Sequence, residues 1–596
     1  MRSVLLFALL APILSAQSTS EVRRSIELAL HPLQQSAAGF VSKRACVSCH
    51  HNILPVLLLH SARERGVAID SAVLAAVESK TFRSLQSPNA FDDAVQAVTF
   101  NDPTPDDSYL LMAAHAAGVP PDLTTAVYAR RLAQLQREGH WVTSDFRPPH
   151  SSSNFTATAT AVRAINFYMP PELRAERDAC NLRARSWLSH EKPASTEDAA
   201  FRLMGLVWAA GSSTEVAAAT RDLLALRKPS GGWPELPGYQ PDGYSTGESL
   251  FALREAGMPS ADALWRAGEK FLLSTQAGDG TWRVPTRMLS PASVSPEYFA
   301  TGFPYGKDEF LSYAGSAWAT MALLTTLPAT HQVDKNESAL PQTWQRTALF
   351  GTAKQLTALL DSGLDPNSKT EKGTTLLMMA ATDAEKVRIL VSHGADPKSR
   401  AASGVDAVTI AAASRNTAPA IQELLTAGAE ANVPEGVRSK NSPLLLASMT
   451  GDLDNVKLLL AHGANTSTGL AEAVTFGYSD VVSVLIAAGA PARLTESSGI
   501  NLLHWAVIAN RPAIIPALIA AGVPIDAQDE HDYTPLMYAA TIDFGDTASL
   551  KALLKAGADP KIPNDAGRTA LEQAHYCGHV NLESVVRNHT HQGTRH

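Results

Sequence analysis

The strongest constraint on the fold of this chain is an internal repeat in its C-terminal half. A segment close to Leu-Leu-x-x-Gly-Ala recurs, and its glycines are separated by 31, 34, 35, 26, 33 and 35 residues. Each glycine ends an apolar helical segment, where a left-handed cap favours glycine. One helix pair cannot bury its own apolar face, so such units stack on their neighbours into a solenoid. The glycines are Gly363, Gly394, Gly428, Gly463, Gly489, Gly522 and Gly557.

Polar helix starts recur between these glycines. Examples are Thr374-Thr375-Leu376-Leu377, Ser442-Pro443-Leu444-Leu445, Asn501-Leu502-Leu503-His504 and Thr534-Pro535-Leu536-Met537. They resemble the T-P-L-H element of ankyrin repeats, whose period is about 33 residues. The resemblance covers residues 342–590 and implies an array that binds a protein partner. The 26-residue interval predicts one shortened loop near residues 466–470.

Tryptophans mark a longer period in the N-terminal half. Trp141, Trp187, Trp233 and Trp282 are spaced 46, 46 and 49 residues apart. A segment rich in small residues and with helical periodicity follows each tryptophan, and two earlier segments have the same character. Small side chains let helices approach closely. We therefore predict six inner helices, each paired with an outer one, at residues 50–64, 107–117, 154–167, 198–210, 244–256 and 313–324.

This pattern resembles the α/α toroid of squalene cyclases and protein prenyltransferase subunits. Their Q-x-x-D-G-x-W element is clearest at Gln276-Ala277-Gly278-Asp279-Gly280-Thr281-Trp282. The resemblance implies an (α/α)6 toroid over residues 41–330. The predicted fold is thus all-α, with a toroid followed by an ankyrin-repeat solenoid and a polar linker at residues 331–341.

One short motif carries recognisable chemistry. Cys46-Val47-Ser48-Cys49-His50 is a C-x-x-C-H sequence, the attachment signature of c-type haem. Cys46 and Cys49 would form thioether bonds to one haem, and His50 would bind its iron as the proximal ligand. We therefore predict covalent haem c as the cofactor, with His50 as the metal ligand. The following residue, His51, is interpreted as a polar residue at the start of a helix.

Three blocks together resemble a bacterial family of exported toroid proteins with C-x-x-C-H-H near the start. They are Cys46-Val47-Ser48-Cys49-His50-His51, Arg147-Pro148-Pro149-His150-Ser151 and Tyr298-Phe299-Ala300-Thr301-Gly302-Phe303-Pro304-Tyr305-Gly306-Lys307-Asp308. The resemblance implies the fold and the haem, and it implies no particular reaction.

The start of the chain and its net charge limit where the protein can reside and what it can bind. Residues 1–16 have the charged start, short apolar run and small final residues of a signal peptide. No later stretch reaches the about 18 uninterrupted apolar residues of a membrane helix. We expect a periplasmic or secreted protein without a membrane span. The net charge is −8 and no basic run occurs, which argues against nucleic acid as a partner.

The sequence does not select the second ligand of the haem iron or the partners of the haem propionates. His150 lies before the third inner helix and Met288 follows Trp282, so either is a candidate distal ligand. Arg147, Arg287 and Lys307 lie in corresponding loops and are candidate partners of the haem propionates.

An enzymatic role is undecided, and no catalytic residue is assigned. Squalene-type cyclases protonate an alkene with a D-x-D-D element, and the nearest sequence here is Thr104-Pro105-Asp106-Asp107. Three hypotheses follow. The first is an exported mono-haem protein for electron transfer or redox sensing, with a possible redox partner and an array that docks a protein. The alternatives are a non-redox interaction scaffold and a toroid enzyme acting on a terpenoid or lipid.

Overall fold

The computed structural model describes residues 4–97, 102–288, 301–330, 343–437, 439 and 441–593. Its secondary structure is helical, and these ranges contain no β-strand, so the all-α prediction is confirmed. The predicted linker at residues 331–341 lies outside the described residues. The N-terminal helices are α1 Val4–Lys43, α2 Leu54–Glu64, α3 Ser71–Thr81, α4 Arg83–Gln86, α5 Ala90–Val95, α6 Pro103–Ala116, α7 Leu123–Leu135, α8 Asn154–Tyr168, α9 Arg174–His190, α10 Thr196–Trp208, α11 Ser213–Ala225, α12 Gly243–Glu255, α13 Ala263–Thr275 and α14 Glu309–Leu324.

Six of these helices form a closed ring of contacts. Helices α2, α6, α8, α10, α12 and α14 each contact the next, and α14 contacts α2. They coincide with the six segments rich in small residues. A Cβ atom at Gly247 on α12 would lie 2.4 Å from the backbone nitrogen of Ala319 on α14, so only glycine permits this approach. Helices α1, α7, α9, α11 and α13 pack against members of the ring. Together these helices make an N-terminal helical domain.

Three loop tryptophans join successive helix pairs in the same way. The indole nitrogen of Trp233 donates to the carbonyl of Leu223 on α11 at 2.8 Å, and its backbone nitrogen donates to Thr246 Oγ1 on α12 at 2.9 Å. Trp141 and Trp282 make the equivalent bonds to the helices on either side of them. Trp187 is different because it lies within α9. The 46-residue spacing on its two sides therefore does not mark equivalent positions.

Helix α1 belongs to the core of the helical domain. Val22, Ile26, Leu30, Leu33 and Phe40 recur on one face and are at most 2% exposed. Burying side chains of this size contributes about 1.5–3 kcal/mol each. The packed core therefore includes residues before 41, where the predicted domain begins. The described part of the predicted signal segment, residues 4–16, is the first part of this helix.

The C-terminal array consists of short helix pairs. Sequence-predicted helix starts are N-caps here, as at Thr375, whose side chain accepts from Met378 N, and Ser442, whose side chain accepts from Leu445 N. The array helices are α15 Trp344–Phe350, α16 Ala353–Asp361, α17 Leu376–Met379, α18 Ala384–Ser392, α19 Ala407–Ala412, α20 Ala418–Thr426, α21 Pro443–Thr450, α22 Leu453–Ala461, α23 Leu470–Phe476, α24 Ser479–Ala487, α25 Leu502–Ile508, α26 Ile515–Ala520, α27 Pro535–Thr541, α28 Ala548–Lys555, α29 Ala570–Cys577 and α30 Val580–Gly593.

The helical domain contacts loops of the array, including those that follow α19, α21 and α27. Arg137 donates to the carbonyl of Gly451 at 3.3 Å, pairs with Asp480 at 3.2 Å and lies over the ring of Tyr478. Further hydrogen bonds across this interface join Asp92 with Thr370 and Thr374, Gln134 with Ser414, Arg511 with the carbonyl of Thr143, Tyr239 with Asp543, and Arg287 with the carbonyl of Asp543. The contacts extend along the length of the array.

Within the described ranges, no helix is both long enough and apolar enough to cross a membrane.

Candidate functional site

The C-x-x-C-H motif lies between α1 and α2. The backbone of Cys49–Ile53 forms one π-helical turn, in which Ile53 N donates to Ser48 O at 3.3 Å. Ser48 also accepts through its side chain from His51 N, and its own nitrogen donates to Asn52 Oδ1. Such turns are frequent at functional sites. The side chain of Cys49 lies outside what the structure describes.

A cavity of about 810 Å3 opens beside this motif. Cys46 and His50 both line it, so the structure brings these two predicted haem residues to one space. Cofactor sites typically enclose about 300–1,000 Å3. The wall is mixed: aromatic residues such as Tyr109 and Phe310 alternate with the charged side chains of Arg147 and several aspartates.

His50 is joined to a buried carboxylate by a chain of hydrogen bonds. Its Nδ1 contacts Nδ1 of His51, whose Nε2 lies 3.1 Å from Ser36 Oγ. Ser36 Oγ is 2.6 Å from Thr301 Oγ1, and Thr301 donates through both its hydroxyl and its backbone nitrogen to Glu309 Oε1. All five residues are at most 6% exposed. The chain holds the imidazole of His50 in one orientation.

His51 is a structural partner of His50 rather than a surface residue. Its ring stacks between Phe40 at 5.1 Å and Tyr313 at 3.8 Å and is fully buried. Burial lowers the pKa of His51 to about 3, so the ring is neutral at neutral pH. The interpretation of His51 as a polar residue at a helix start missed this role.

His150 lies beside His50, with ring centroids 6.5 Å apart. His150 is 1% exposed, and its Nδ1 bonds to the hydroxyl of Tyr244 at 3.1 Å. Its Nε2 is a buried nitrogen with no hydrogen-bond partner among the described residues. Tyr244 in turn donates to Glu197 Oε2 at 3.0 Å. Burial lowers the pKa of His150 to about 4, which keeps the imidazole neutral.

The other sequence candidates separate into two places. Arg147 lines the cavity and lies close enough to His50 to lower its pKa. Met288 instead pairs with Ile542 of the array, and Arg287 is buried at the same interface beside Glu235 and Asp543. Lys307 is exposed and lies near Cys577. Of these candidates, only His150 and Arg147 lie at the His50 site.

Carboxyl groups near the start of α6 also line the cavity. Asp107 is bound to Arg131 by two hydrogen bonds of 2.7 and 2.8 Å, so it is held as an ion pair. Part of the Asp106 side chain is exposed to the cavity, while protein atoms surround the rest. This burial, together with the nearby charges of Asp102 and Asp107, raises the pKa of Asp106 to about 7. Both carboxyl groups line the cavity, and Arg131 balances the charge of Asp107.

The donors at this cavity can be compared with those that a bound haem would need. No three His, Cys, Asp or Glu side chains in the described part of the chain are arranged to hold a metal ion. A haem takes its four equatorial nitrogens with it and needs only axial ligands from the protein. Cys46 and His50 line one cavity, and the Nε2 atom of His150 has no hydrogen-bond partner among the described residues, so these side chains would fit that need.

Several residues of this site carried no sequence signal of their own. Ser36, Tyr244, Glu197 and Glu309 come from four different helices or helix starts. Thr301 stood in one of the quoted blocks, whereas His150 stood in another and was also a candidate distal ligand from its place before the third inner helix.

Comparison with known proteins characterises the C-terminal array. The family model described as ankyrin repeats (3 copies) matches residues 344–434, 408–496, 470–564 and 503–587. The ankyrin repeat and KH domain-containing protein mask-1 of Caenorhabditis elegans is 30% identical over 162 residues, which are 25% of this chain and 6% of that protein. An ankyrin repeat-containing protein of Treponema pallidum is 38% identical over 96 residues, 16% of this chain and 32% of its own.

The nuclear factor NF-kappa-B p105 subunit of Gallus gallus is 33% identical over 160 residues, 25% of this chain and 16% of that protein. This chain therefore spans well under half of the length of the relatives it matches. Residues 344–587 of the chain are ankyrin repeats, as the spacing of their glycines predicted.

Proposed function

We propose that this chain is a protein-interaction protein in which the ankyrin array binds protein surfaces. The observation that carries the proposal is that the array already binds one: residues of the array from Thr370 to Asp543 contact the helical domain of the same chain, and we call this the inner side. Ankyrin arrays use extended surfaces of this kind for binding. A second protein can then use the second helix of each pair, which we call the outer helices. Arg388 on α18, Lys457 on α22 and Lys551 on α28 are exposed there.

Site-specific photo-crosslinking in the full-length chain tests this division of surfaces. A photoreactive residue replaces Arg388 or Lys457 on the outer side, and a matched one replaces Thr382 on the inner side, where Thr382 accepts from Gln134. We expect intermolecular products from the outer positions and products within the chain from Thr382. Intermolecular products from Thr382 alone would mean that a partner displaces the helical domain, and the proposal would fail.

A second candidate function is haem-based electron transfer or redox sensing in the periplasm or outside the cell. It is favoured by one observation, the shared cavity lined by Cys46 and His50 with the buried Nε2 of His150 nearby. Cys46 and Cys49 would hold the haem, and His50 would bind its iron. A haem bound here supplies a one-electron redox centre. The chain from His51 to Glu309 orients the imidazole of His50, and Arg147, which lines the cavity, would offer a cation to the haem propionates.

A pyridine haemochrome spectrum of protein made in a host with active haem c maturation tests this candidate. We expect covalent haem in the wild type and its loss in Cys49→Ser. The matched control is Cys180→Ser, because Cys180 is buried near the carbonyl of Ala133 in the same domain. Exported wild-type protein without covalent haem would overturn the candidate.

A further inference from the structure

Two hydrogen-bond chains lead to two neighbouring imidazole rings, and each chain ends in a buried carboxyl group. One runs from His50 to Glu309 and the other from His150 to Glu197. The two imidazole rings at their other ends have centroids 6.5 Å apart and planes inclined by 75°. Because a carboxylate only accepts hydrogen bonds, each chain has a direction that can be followed from its end.

The first chain fixes the proton of His50. The hydroxyl of Thr301 donates its hydrogen bond to Glu309, so Ser36 must donate to Thr301. Ser36 then accepts from Nε2–H of His51, which leaves Nδ1 of His51 as an acceptor. That acceptor faces Nδ1 of His50, so the proton of His50 lies on Nδ1 and the lone pair on Nε2.

The second chain fixes the proton of His150 in the same sense. Glu197 accepts from the hydroxyl of Tyr244 at 3.0 Å, and also from Thr156 Oγ1 at 2.7 Å and Ser151 N at 3.3 Å. Tyr244 has then used its proton and must accept from His150 Nδ1–H. The lone pair of His150 is therefore on Nε2, the atom without a hydrogen-bond partner. Burial raises the pKa of Glu197 to about 8 although these three bonds lower it, so this direction of the chain belongs to the form in which Glu197 is ionised.

Both rings thus have the form that a metal-binding histidine takes. Such residues bind through one nitrogen and donate the N–H of the other to a fixed acceptor, which sets the tautomer. Two imidazoles on opposite sides of one metal ion have ring centres roughly 6 Å apart, since each bond is about 2.0–2.1 Å. The separation of His50 and His150 agrees with that spacing. Tyr109 and Phe310, which line the cavity, both contact the ring of His150.

We propose that His150 is the second axial ligand, opposite His50, of a single haem iron at this site. The proposal rests on the haem candidate above. It excludes Met288, which lies at the interface with the array beside Ile542. It also makes Tyr244 a positioning residue, because its hydroxyl fixes the tautomer of His150.

The test is the absorption and electron paramagnetic resonance spectra of the ferric full-length holoprotein. We expect a low-spin, six-coordinate iron in the wild type, conversion to high spin in His150→Ala, and recovery of low spin when imidazole is added to that variant. His140→Gln is the matched control, because His140 is in the same domain but stacks on Trp187. Tyr244→Phe should keep the haem and weaken the low-spin signal.

Each alternative outcome has a distinct meaning. Covalent haem with the same spin state in the wild type and His150→Ala overturns this proposal and leaves the haem candidate standing. Absence of covalent haem overturns both. Nitrogen-15 spectra of histidine-labelled, haem-free protein add a readout that needs no iron: a proton on Nε2 of His150 instead of Nδ1 would contradict the derivation.

Discussion

Replacing Thr301 by valine removes one hydroxyl from the middle of the chain that links His50 to Glu309, with little change of shape. Ser36 Oγ loses the acceptor that lies 2.6 Å away, whereas Glu309 keeps the hydrogen bond from the backbone nitrogen of residue 301 at 2.9 Å. A buried polar group left without a partner costs about 1–3 kcal/mol. We expect Thr301→Val to destabilise the helical domain by that amount.

Ser36→Ala breaks the same contact from the other side. It leaves Nε2–H of His51 without the acceptor 3.1 Å away, so its cost is also about 1–3 kcal/mol. The double variant loses the Ser36–Thr301 bond only once. Because residues in one hydrogen-bond network couple by about 0.5–3 kcal/mol, the double variant should cost less than the sum of the two single variants.

Hydrogen exchange of α1 and α14 peptides in the full-length protein measures the local free energy of opening. The matched control is Ser42→Ala, because Ser42 is exposed on the same helix and bonds only to the carbonyl of Gly39. It should stay within about 0.5 kcal/mol of the wild type. Additivity of Ser36→Ala and Thr301→Val to within about 0.5 kcal/mol would refute the continuous chain.

Three further predictions concern the interface, the array and the thiols. Arg137→Ala removes a hydrogen bond, an ion pair and a ring contact with the array. Hydrogen exchange at Gly451 and residues 478–487 should therefore speed up. Arg227→Ala, away from these contacts, should leave the exchange unchanged. Buried His504 donates Nε2–H to Tyr533 O, and burial lowers its pKa to about 4. The imidazole of the unfolded chain binds a second proton below about pH 6.5, whereas the folded one does not until about pH 4. The free energy of unfolding of the array should therefore fall by on the order of 3 kcal/mol between about pH 6.5 and 4. His504→Gln should flatten that dependence in urea unfolding. In haem-free protein, iodoacetamide should modify exposed Cys46 faster than Cys180, whose pKa burial raises to about 11; equal rates by mass spectrometry would contradict the described exposure.

Local sequence determined the elements of this protein. The array could be predicted because each of its parts depends on near neighbours: Thr375 and Ser442 cap the helices that they begin, and Gly363 adopts φ of +102° after the helix that it ends. The six helices of the ring could be predicted for a similar reason, since small residues at helical spacing mark helices that approach closely. The C-x-x-C-H motif could be read as a haem signature because its chemistry lies within five residues.

Tertiary structure alone decided how those elements meet. The sequence left His150 and Met288 equal as ligands, and packing placed His150 beside His50 and Met288 against the array. His51 was interpreted as a polar residue at the start of a helix because a sequence does not show that Phe40 and Tyr313 enclose its ring. Contacts such as Ser36 with Thr301, 265 positions apart, depend on ring closure and leave no periodic trace in the sequence. The face of the array that the helical domain covers likewise leaves no periodic trace in the sequence.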